Sequence, residues 1–546
     1  MKRIIAIMLS LTLLVVSGCG MFSNREDSKA TEDTVGLSGG NATDANVGSV
    51  ASAVSDNYRN YYEIFVHSFY DTDGDGIGDL KGVYEKLDYI EDLGANGLWL
   101  MPIMPSTTYH KYDVTDYCNI DKEYGSLEDF ELLISECHNR KINVIIDLVM
   151  NHTSSKHPWF TEAVAYIKGL AEDEDIDVSV CPYAAYYNFS KEKLDDTWYL
   201  IEGTDYYYEG GFWSEMPDLN LENEAVITEF EKIADFWIAR GVDGFRMDAP
   251  LHFKENDTSF NAEVLNGLYS YCVTQKPGFY MVSEVWANGK TIADYYQSKT
   301  PSMFDFSMAD AEGDFIKTAR GTQNAQKFVN KLYQMETMYS EQYNEYINAP
   351  FITNHDMGRV ANALASDERN IKFAGGLLLS CGGSPFVYYG EELGMKSKGK
   401  KDENKRLALV WSKEDATGIC NDPADADKGI EQAFAAADEQ LMDENSILNY
   451  YKKALHLRNA YPEIARGTLK VYDEYTDGHI AVSERVYGEE SIIIIYNTED
   501  AEANVDLQGL LKEGSKVVAA ISVDNIEAAL TENILTIPAK SIVYVK

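Results

Sequence analysis

Short apolar runs alternate with amphipathic stretches over most of the chain, and this alternation predicts the fold. Eight runs rich in β-branched and aromatic residues are typical of buried strands, and they cover residues 62–69, 97–103, 143–149, 244–248, 280–285, 302–306, 350–356 and 384–390. Segments with helical periodicity lie between them, such as residues 127–140 and 224–240. Parallel strands joined by crossover helices produce this pattern, and eight in one closed sheet form a (β/α)8 barrel, the TIM barrel. The chain is therefore expected to be an α/β protein.

Two regions depart from the alternation. The third connection is far longer than one crossover helix needs, and residues 151–215 are predicted to form a small irregular domain inserted after strand three. After a helical segment at 447–461, the apolar positions alternate as in antiparallel strands. We therefore predict a barrel over residues 58–150 and 216–462, and a C-terminal antiparallel β domain over residues 463–546.

The N-terminal segment has the features of an export signal. A basic start precedes an apolar run at residues 4–16, which is shorter than the ~20 residues of a membrane-spanning helix. The sequence Val16-Ser17-Gly18-Cys19 is similar to bacterial lipoprotein signals, and this similarity implies cleavage before Cys19 and lipidation of its side chain. Residues 1–18 would then be the signal peptide, and residues 19–57, poor in large apolar side chains, a flexible tether. We expect a cell-surface protein held to the membrane by its lipid alone.

Composition narrows the possible partners. With 47 Lys and Arg against 89 Asp and Glu, the formal net charge is −42, which disfavours binding to nucleic acid. Neutral ligands such as sugars carry no such penalty, and the 37 tyrosines offer ample surface for stacking on them. Apart from Cys19, the cysteines are scattered and suggest no zinc site. Export permits disulfides without requiring them, and we expect mostly small buried cysteines in a monomeric protein.

Four acidic residues stand at or near the ends of predicted barrel strands. They are Asp147, Asp248, Glu284 and Asp356. Asp248 and Glu284 are 36 residues apart and Glu284 and Asp356 are 72 apart, or one and two strand–helix units. These three acids should therefore meet at the C-terminal mouth of the barrel, where such enzymes carry their catalytic residues. Arg246, two residues before Asp248 on the same face, is expected to keep that carboxylate ionised.

A group of carboxylates without a cofactor motif favours glycoside cleavage. This reaction needs one carboxylate as nucleophile or base and one carboxylic acid to protonate the leaving oxygen. Metal-dependent hydrolysis is the rival reaction, but the first predicted strand carries a single histidine, His67, where barrel metallohydrolases use two. The chain also contains neither an HExxH motif nor a glycine-rich phosphate loop.

An acidic loop follows the first predicted strand. Asp71, Asp73 and Asp75 stand at alternating positions, as in the first half of an EF-hand loop, and the backbone carbonyl of Ile77 takes the seventh position. Position twelve is glycine rather than glutamate, so Asp79 would supply the later oxygen. We predict a structural Ca²⁺ site here, and the alternative is a solvated turn.

Taken together, five motifs make the chain resemble the α-amylase superfamily of glycoside hydrolases. They are Asp147-Leu-Val-Met-Asn151-His152, Met216-Pro-Asp-Leu-Asn220, Gly244-Phe-Arg-Met-Asp248, Glu284-Val-Trp286 and Asn354-His355-Asp356. The resemblance implies a retaining enzyme in which Asp248 is the nucleophile, Glu284 the general acid/base and Asp356 the acid that binds ring hydroxyls. It also implies that calcium binds the acidic loop. The residues expected to contact sugar are His110, Tyr112 (as a stacking platform), Asp147, His152, Arg246 and His355.

The substrate is less sharply defined. Met216-Pro-Asp-Leu-Asn220 is similar to the motif of a subgroup between oligo-1,6-glucosidases and neopullulanases. Tyr109 and His110 stand where exo-acting members often have an acid, which favours an endo-acting α-amylase that cleaves α-1,4 bonds of starch and maltooligosaccharides. Leu251 stands where many α-amylases have a lysine that contacts the sugar on the leaving side of the cleaved bond. The alternatives are oligo-1,6-glucosidase, α-glucosidase or neopullulanase-like activity, and a surface protein that binds glucan without cleaving it.

Overall fold

The computed structural model describes residues 56–171 and 174–546. The strands are β1 (Tyr61–Ile64), β2 (Gly97–Leu100), β3 (Asn143–Leu148), β4 (Phe189–Ser190), β5 (Trp198–Leu200), β6 (Tyr207–Glu209), β7 (Gly244–Met247), β8 (Tyr280–Ser283), β9 (Ser302–Met303), β10 (Phe386–Tyr388), β11 (Thr468–Val471), β12 (Ile480–Tyr487), β13 (Glu490–Asn497), β14 (Ala503–Asp506), β15 (Val517–Ser522), β16 (Ala529–Thr531), β17 (Ile534–Ile537) and β18 (Ser541–Val545). The predicted signal peptide, Cys19 and the tether up to residue 55 lie outside the described residues.

Most of the α-helices lie in the connections between barrel strands, and the last three follow β10. They are α1 (Leu80–Glu85), α2 (Leu87–Leu93), α3 (Leu127–Asn139), α4 (Pro158–Lys168), α5 (Glu224–Ala239), α6 (Thr258–Gln275), α7 (Gly289–Tyr295), α8 (Asp314–Ala319), α9 (Ala325–Gln342), α10 (Val360–Ala363), α11 (Glu368–Leu379), α12 (Ala437–Met442), α13 (Ile447–Ala460) and α14 (Pro462–Arg466). None of the described helices has the length and apolar character needed to cross a membrane.

A parallel sheet in the order β10-β1-β2-β3-β7-β8-β9 forms the barrel core. The predicted strand at residues 350–356 does not form, but single parallel bridges join Phe304 to Ala349 and Phe351 to Phe386. These bridges place the segment around residues 349–351 between the outer strands β9 and β10 and complete the TIM-barrel-like core. The other strands are shorter than predicted because their C-terminal residues leave the sheet to form the loops at the barrel mouth.

The inserted region lies between β3 and β7 and has its own small sheet. Strands β4, β6 and β5 are antiparallel in that order, and α4 packs beside them. An isolated bridge from His152 to Asp218 connects the two ends of this region, and another joins Tyr187 in its middle to Leu219. The insert is thereby held beside the mouth of the barrel.

Two antiparallel sheets form the C-terminal part. One has the order β11-β12-β13-β18-β15 and the other β14-β17-β16. The apolar run at 492–495 does not alternate with polar residues, because Ile492 and Ile494 pack in the barrel core while Ile493 and Ile495 pack between the two sheets. The six described cysteines are all free, and five of them are buried.

Candidate active site

The acids predicted from strand ends meet at the C-terminal mouth of the barrel. Asp147 lies within β3 and pairs in register with Arg246 of β7. Asp248 and Glu284 come one residue after β7 and β8, so both side chains leave the sheet at the same edge. Asp356 ends the segment at 350–356, and it joins this group through the arginine and histidine contacts described below.

Arg246 is the centre of the carboxylate group. Its side chain is 1% exposed, and Nη1 donates to Asp147 Oδ1 at 2.6 Å and to Asp248 Oδ1 at 2.5 Å. Nη2 is 2.8 Å from Glu284 Oε1. One guanidinium therefore serves three buried carboxylates, and full ionisation of all three would leave excess negative charge in a desolvated site. Asp147 is completely buried and contacts Trp99 and Arg246, so its role here is to hold the arginine.

Glu284 is the carboxyl group best suited to remain protonated. Burial, together with the negative charges of Asp248 and Asp356, raises its pKa to about 8, although Arg246 opposes the rise. Its Oε2 accepts the backbone N–H of Ala249 at 3.2 Å. Ala249 has a left-handed conformation with φ 47° and ψ 45°, which is strained for a residue with a side chain. This turn brings the residue after Asp248 into contact with Glu284.

Asp356, unlike Glu284, is held in its ionised form. Burial disfavours its charge, but His355, Arg406 and Arg246 outweigh that effect and hold the pKa of Asp356 well below its ordinary value. Arg406 Nη2 is 2.7 Å from Asp356 Oδ1, and His355 Nε2 is 3.2 Å from Oδ2. His355 Nδ1 lies 2.6 Å from Glu63 Oε1. Although burial disfavours the charged ring, Asp356 and Glu63 raise the pKa of His355 to about 10.

Glu63 and Arg406 were not predicted from the sequence. Glu63 was detectable in principle, because an acid inside the apolar strand Tyr61–Ile64 needs a buried partner. No sequence pattern indicated a role for Arg406, because it stands in the irregular connection between β10 and α12. The same connection also touches the acidic loop, where the Asn421 N–H donates to the Gly76 carbonyl at 2.8 Å.

The predicted sugar-contacting residues lie around these acids. The Tyr112 hydroxyl is 2.8 Å from His355 Nε2, and the two rings are nearly parallel with centroids 5.6 Å apart. His110 Nδ1 accepts the Tyr112 backbone N–H at 3.1 Å and so supports that loop. Burial lowers the pKa of His110 to about 4. His152 is buried beside these acids, and burial lowers the pKa of its ring.

Exposed aromatic rings stand beside the carboxylate group. Trp286, two residues after Glu284, is 48% exposed and stacks on Phe306 with centroids 5.0 Å apart. Phe212 is 47% exposed and lies 5.3 Å from the His152 ring and 5.0 Å from the His252 ring. Flat apolar surfaces of this kind suit the C–H faces of sugar rings.

The acidic loop brings three of its carboxylates together. Ligand oxygens of Asp71, Asp73 and Asp79 lie within 4.8 Å of one another, close enough for one cation. Asp75 is not in this group, and its Oδ1 accepts the Ile77 N–H at 2.7 Å. Asp71 also accepts three backbone N–H groups of the loop, which fixes the turn. Carboxylate oxygens in this arrangement fit a hard cation such as Ca²⁺.

This barrel and its carboxylate group are those of a glycoside hydrolase. Residues 63–467 match the family model described as the α-amylase catalytic domain, and the chain belongs to this family, glycoside hydrolase family 13. It is 38% identical to "Alpha-amylase 3" of Dictyoglomus thermophilum over 84% of this chain and 88% of that protein. It is 27% identical to an oligo-1,6-glucosidase of Parageobacillus thermoglucosidasius over 80% of this chain and 89% of that protein. The solved structure of Eubacterium rectale Amy13B matches with a TM-score of 0.87 and 44% identity over 90% of this chain and 96% of its own.

Proposed function

We propose that the chain is a retaining, endo-acting α-amylase that cleaves α-1,4-glucosidic bonds of starch and maltooligosaccharides. The observation that carries this proposal is the joining of Asp248 and Glu284 through the two terminal nitrogens of Arg246. Both carboxyl groups are thus within reach of one guanidinium, and retaining enzymes place the two groups about 5–5.5 Å apart. Inverting enzymes need about 6.5–9.5 Å to admit a water molecule.

The roles of the two acids follow from their surroundings. Asp248, hydrogen-bonded to Arg246, attacks the anomeric carbon while Glu284 donates its proton to the glycosidic oxygen. The leaving sugar departs, and a glycosyl ester remains on Asp248. Glu284, now a carboxylate, takes a proton from water, which attacks the same carbon and releases Asp248.

The neighbouring groups hold the sugar ring that reacts. The ionised Asp356 accepts hydrogen bonds from ring hydroxyls, and His355 with Arg406 keeps it charged. Tyr112 supports one face of the ring, and the buried His152 contacts a hydroxyl. These contacts fix the ring so that its anomeric carbon faces Asp248.

The preference for α-1,4 bonds and internal cleavage rests on two observations. Tyr109 contributes a neutral hydroxyl, 3.0 Å from Arg406 Nη1, where an acid would grip a chain end. A relative at 38% identity is named an α-amylase. The relative named oligo-1,6-glucosidase supports the alternative, an enzyme acting on α-1,6 bonds of oligosaccharides.

Two experiments test this proposal. Products from amylose, pullulan and isomaltose are compared side by side, with the Asp248→Asn variant as the blank. We expect mixed oligomers early from amylose and little release from isomaltose; rapid glucose release from isomaltose would favour the alternative. In the second, NMR of freshly released ends should show the α-anomer. The β-anomer would refute retention, and starch binding without new reducing ends would refute catalysis.

We further propose that Asp71, Asp73 and Asp79 hold a structural Ca²⁺, which offsets their mutual repulsion and stiffens the loop. We also propose a lipid anchor at Cys19 that places the enzyme on the cell surface. Labelling with a fatty-acid probe, compared between the wild type and Cys19→Ala, tests the anchor. Equal labelling of the two proteins would exclude it.

A further inference from the structure

A cavity lies at the open end of the C-terminal β domain, and it is lined only by residues of that domain. Its volume is about 410 Å³. Ile480 and Val482 of β12 face the core between the two sheets. Glu484 and Val486 continue the same face of the strand but line the cavity instead. The cavity therefore begins where the packed core of the two sheets ends.

Two tyrosines form part of the cavity wall, and both are held in place. The Tyr472 hydroxyl donates to Glu484 Oε2 at 2.6 Å, and the Tyr475 hydroxyl donates to the Gln508 carbonyl at 2.9 Å. Their ring centroids are 6.2 Å apart with an interplanar angle of 74°. Both side chains are half-buried, so the rings present fixed apolar surface to whatever enters. Little side-chain entropy would be lost when a ligand packs against them.

The polar lining of the cavity is mixed in charge. Lys470 and Lys512 stand with Glu474, Glu484 and Glu489 around it. Lys470 Nζ is 3.5 Å from Glu484 Oε2, so part of this charge is already paired. A strongly anionic or cationic ligand would meet like charges on this lining. A neutral ligand with closely spaced hydroxyls would instead find donors and acceptors together.

We propose that this cavity is a second carbohydrate-binding site, which holds a neutral α-glucan chain away from the catalytic acids. The choice of an α-glucan rests on the proposed function. The cavity volume falls within the range of about 300–1,000 Å³ that ligand sites occupy. A polymer bound at both sites gains effective concentration at the barrel mouth without any new catalytic contact. The benefit is therefore confined to long or insoluble substrates.

The test measures adsorption of the full chain to granular starch, with Asp248→Asn present so that the starch is not cut. We expect Tyr475→Ala to weaken adsorption about tenfold, or about 1.4 kcal/mol. Tyr487→Ala is the matched control, because Tyr487 is an exposed tyrosine of the same domain that does not line the cavity. Equal adsorption of the Tyr475 and Tyr487 variants would overturn the proposal.

Activity measurements separate this proposal from the proposed function. With Asp248 intact, Tyr475→Ala should slow hydrolysis of granular starch and leave the rate on maltotetraose unchanged. If its unfolding temperature falls, Glu484→Gln, which preserves the side-chain shape, replaces it and should also weaken adsorption. An inactive wild type whose adsorption depends on Tyr475 would refute the amylase assignment alone. An active wild type whose adsorption is unaffected by both variants would refute the second site alone.

Discussion

Replacing Glu284 by glutamine should abolish activity and at the same time stabilise the fold. Glu284, the proposed catalytic acid, is kept protonated by burial and by neighbouring carboxylates, which raise its pKa from an ordinary value of 4.5 to about 8. The unfolded chain releases this proton above pH 4.5, whereas the folded protein retains it up to about pH 8. Folding stability contributed by this group is therefore full below pH 4.5 and is lost as the pH rises towards 8.

The size of the effect follows from the two pKa values. Each pH unit between them changes the free energy of unfolding by about 1.4 kcal/mol. The loss is thus about 3 kcal/mol at pH 7 and under about 1 kcal/mol at pH 5. Glutamine keeps the shape and an oxygen acceptor for Arg246 Nη2 but has no proton to lose, so the variant avoids this loss.

The assay is thermal unfolding of the wild type and Glu284→Gln at pH 5, 6, 7 and 8. The stability difference should favour the variant and should widen as the pH rises. Glu263→Gln is a control, since Glu263 is exposed on α6 and outside the carboxylate group. A difference that is constant with pH, or a variant less stable than the wild type at pH 8, would refute the reasoning about Glu284.

Four further outcomes are expected. Asp248→Asn should lower kcat by at least about a thousandfold, and retention of a tenth of the activity would contradict its role. The kcat/KM of the wild type should fall above about pH 8 as Glu284 loses its proton; a fall beginning near pH 6 would contradict the raised pKa. Glu63→Gln should lower the pKa of His355, which stabilises the charge of Asp356. The loss of that stabilisation should reduce kcat/KM about tenfold, while Glu63→Asp retains more activity. Chelation should lower the unfolding temperature by several degrees in the wild type but not in Asp71→Ala, and equal curves with and without chelator would exclude a bound cation.

Local rules made most of the barrel predictable. The run Val144–Ile146 is apolar throughout because β3 is buried on both faces, and such runs indicate parallel strands. Helix α3 begins at Leu127, one residue after Ser126, whose side chain forms a capping box with Asp129. Acids placed after strands of this kind meet at one edge of a parallel sheet, so their convergence could be predicted from spacing.

The parts that were missed depend on contacts between residues distant in the chain. Arg406 reaches Asp356 across 50 residues from a connection without periodicity. The segment at 350–356 has the composition of a strand, but its backbone groups turn to the loops above the barrel, and only single bridges remain. No local pattern distinguishes this segment from a true strand.

The connection that carries Arg406 contacts both the carboxylate group and the acidic loop. Asp248 and Glu284 directly follow barrel strands. Arg406, which holds Asp356, is instead carried by a connection that is buried around the arginine and also contacts the acidic loop. Substitutions in this connection would therefore change the surroundings of Asp356 without altering the barrel strands that carry Asp248 and Glu284.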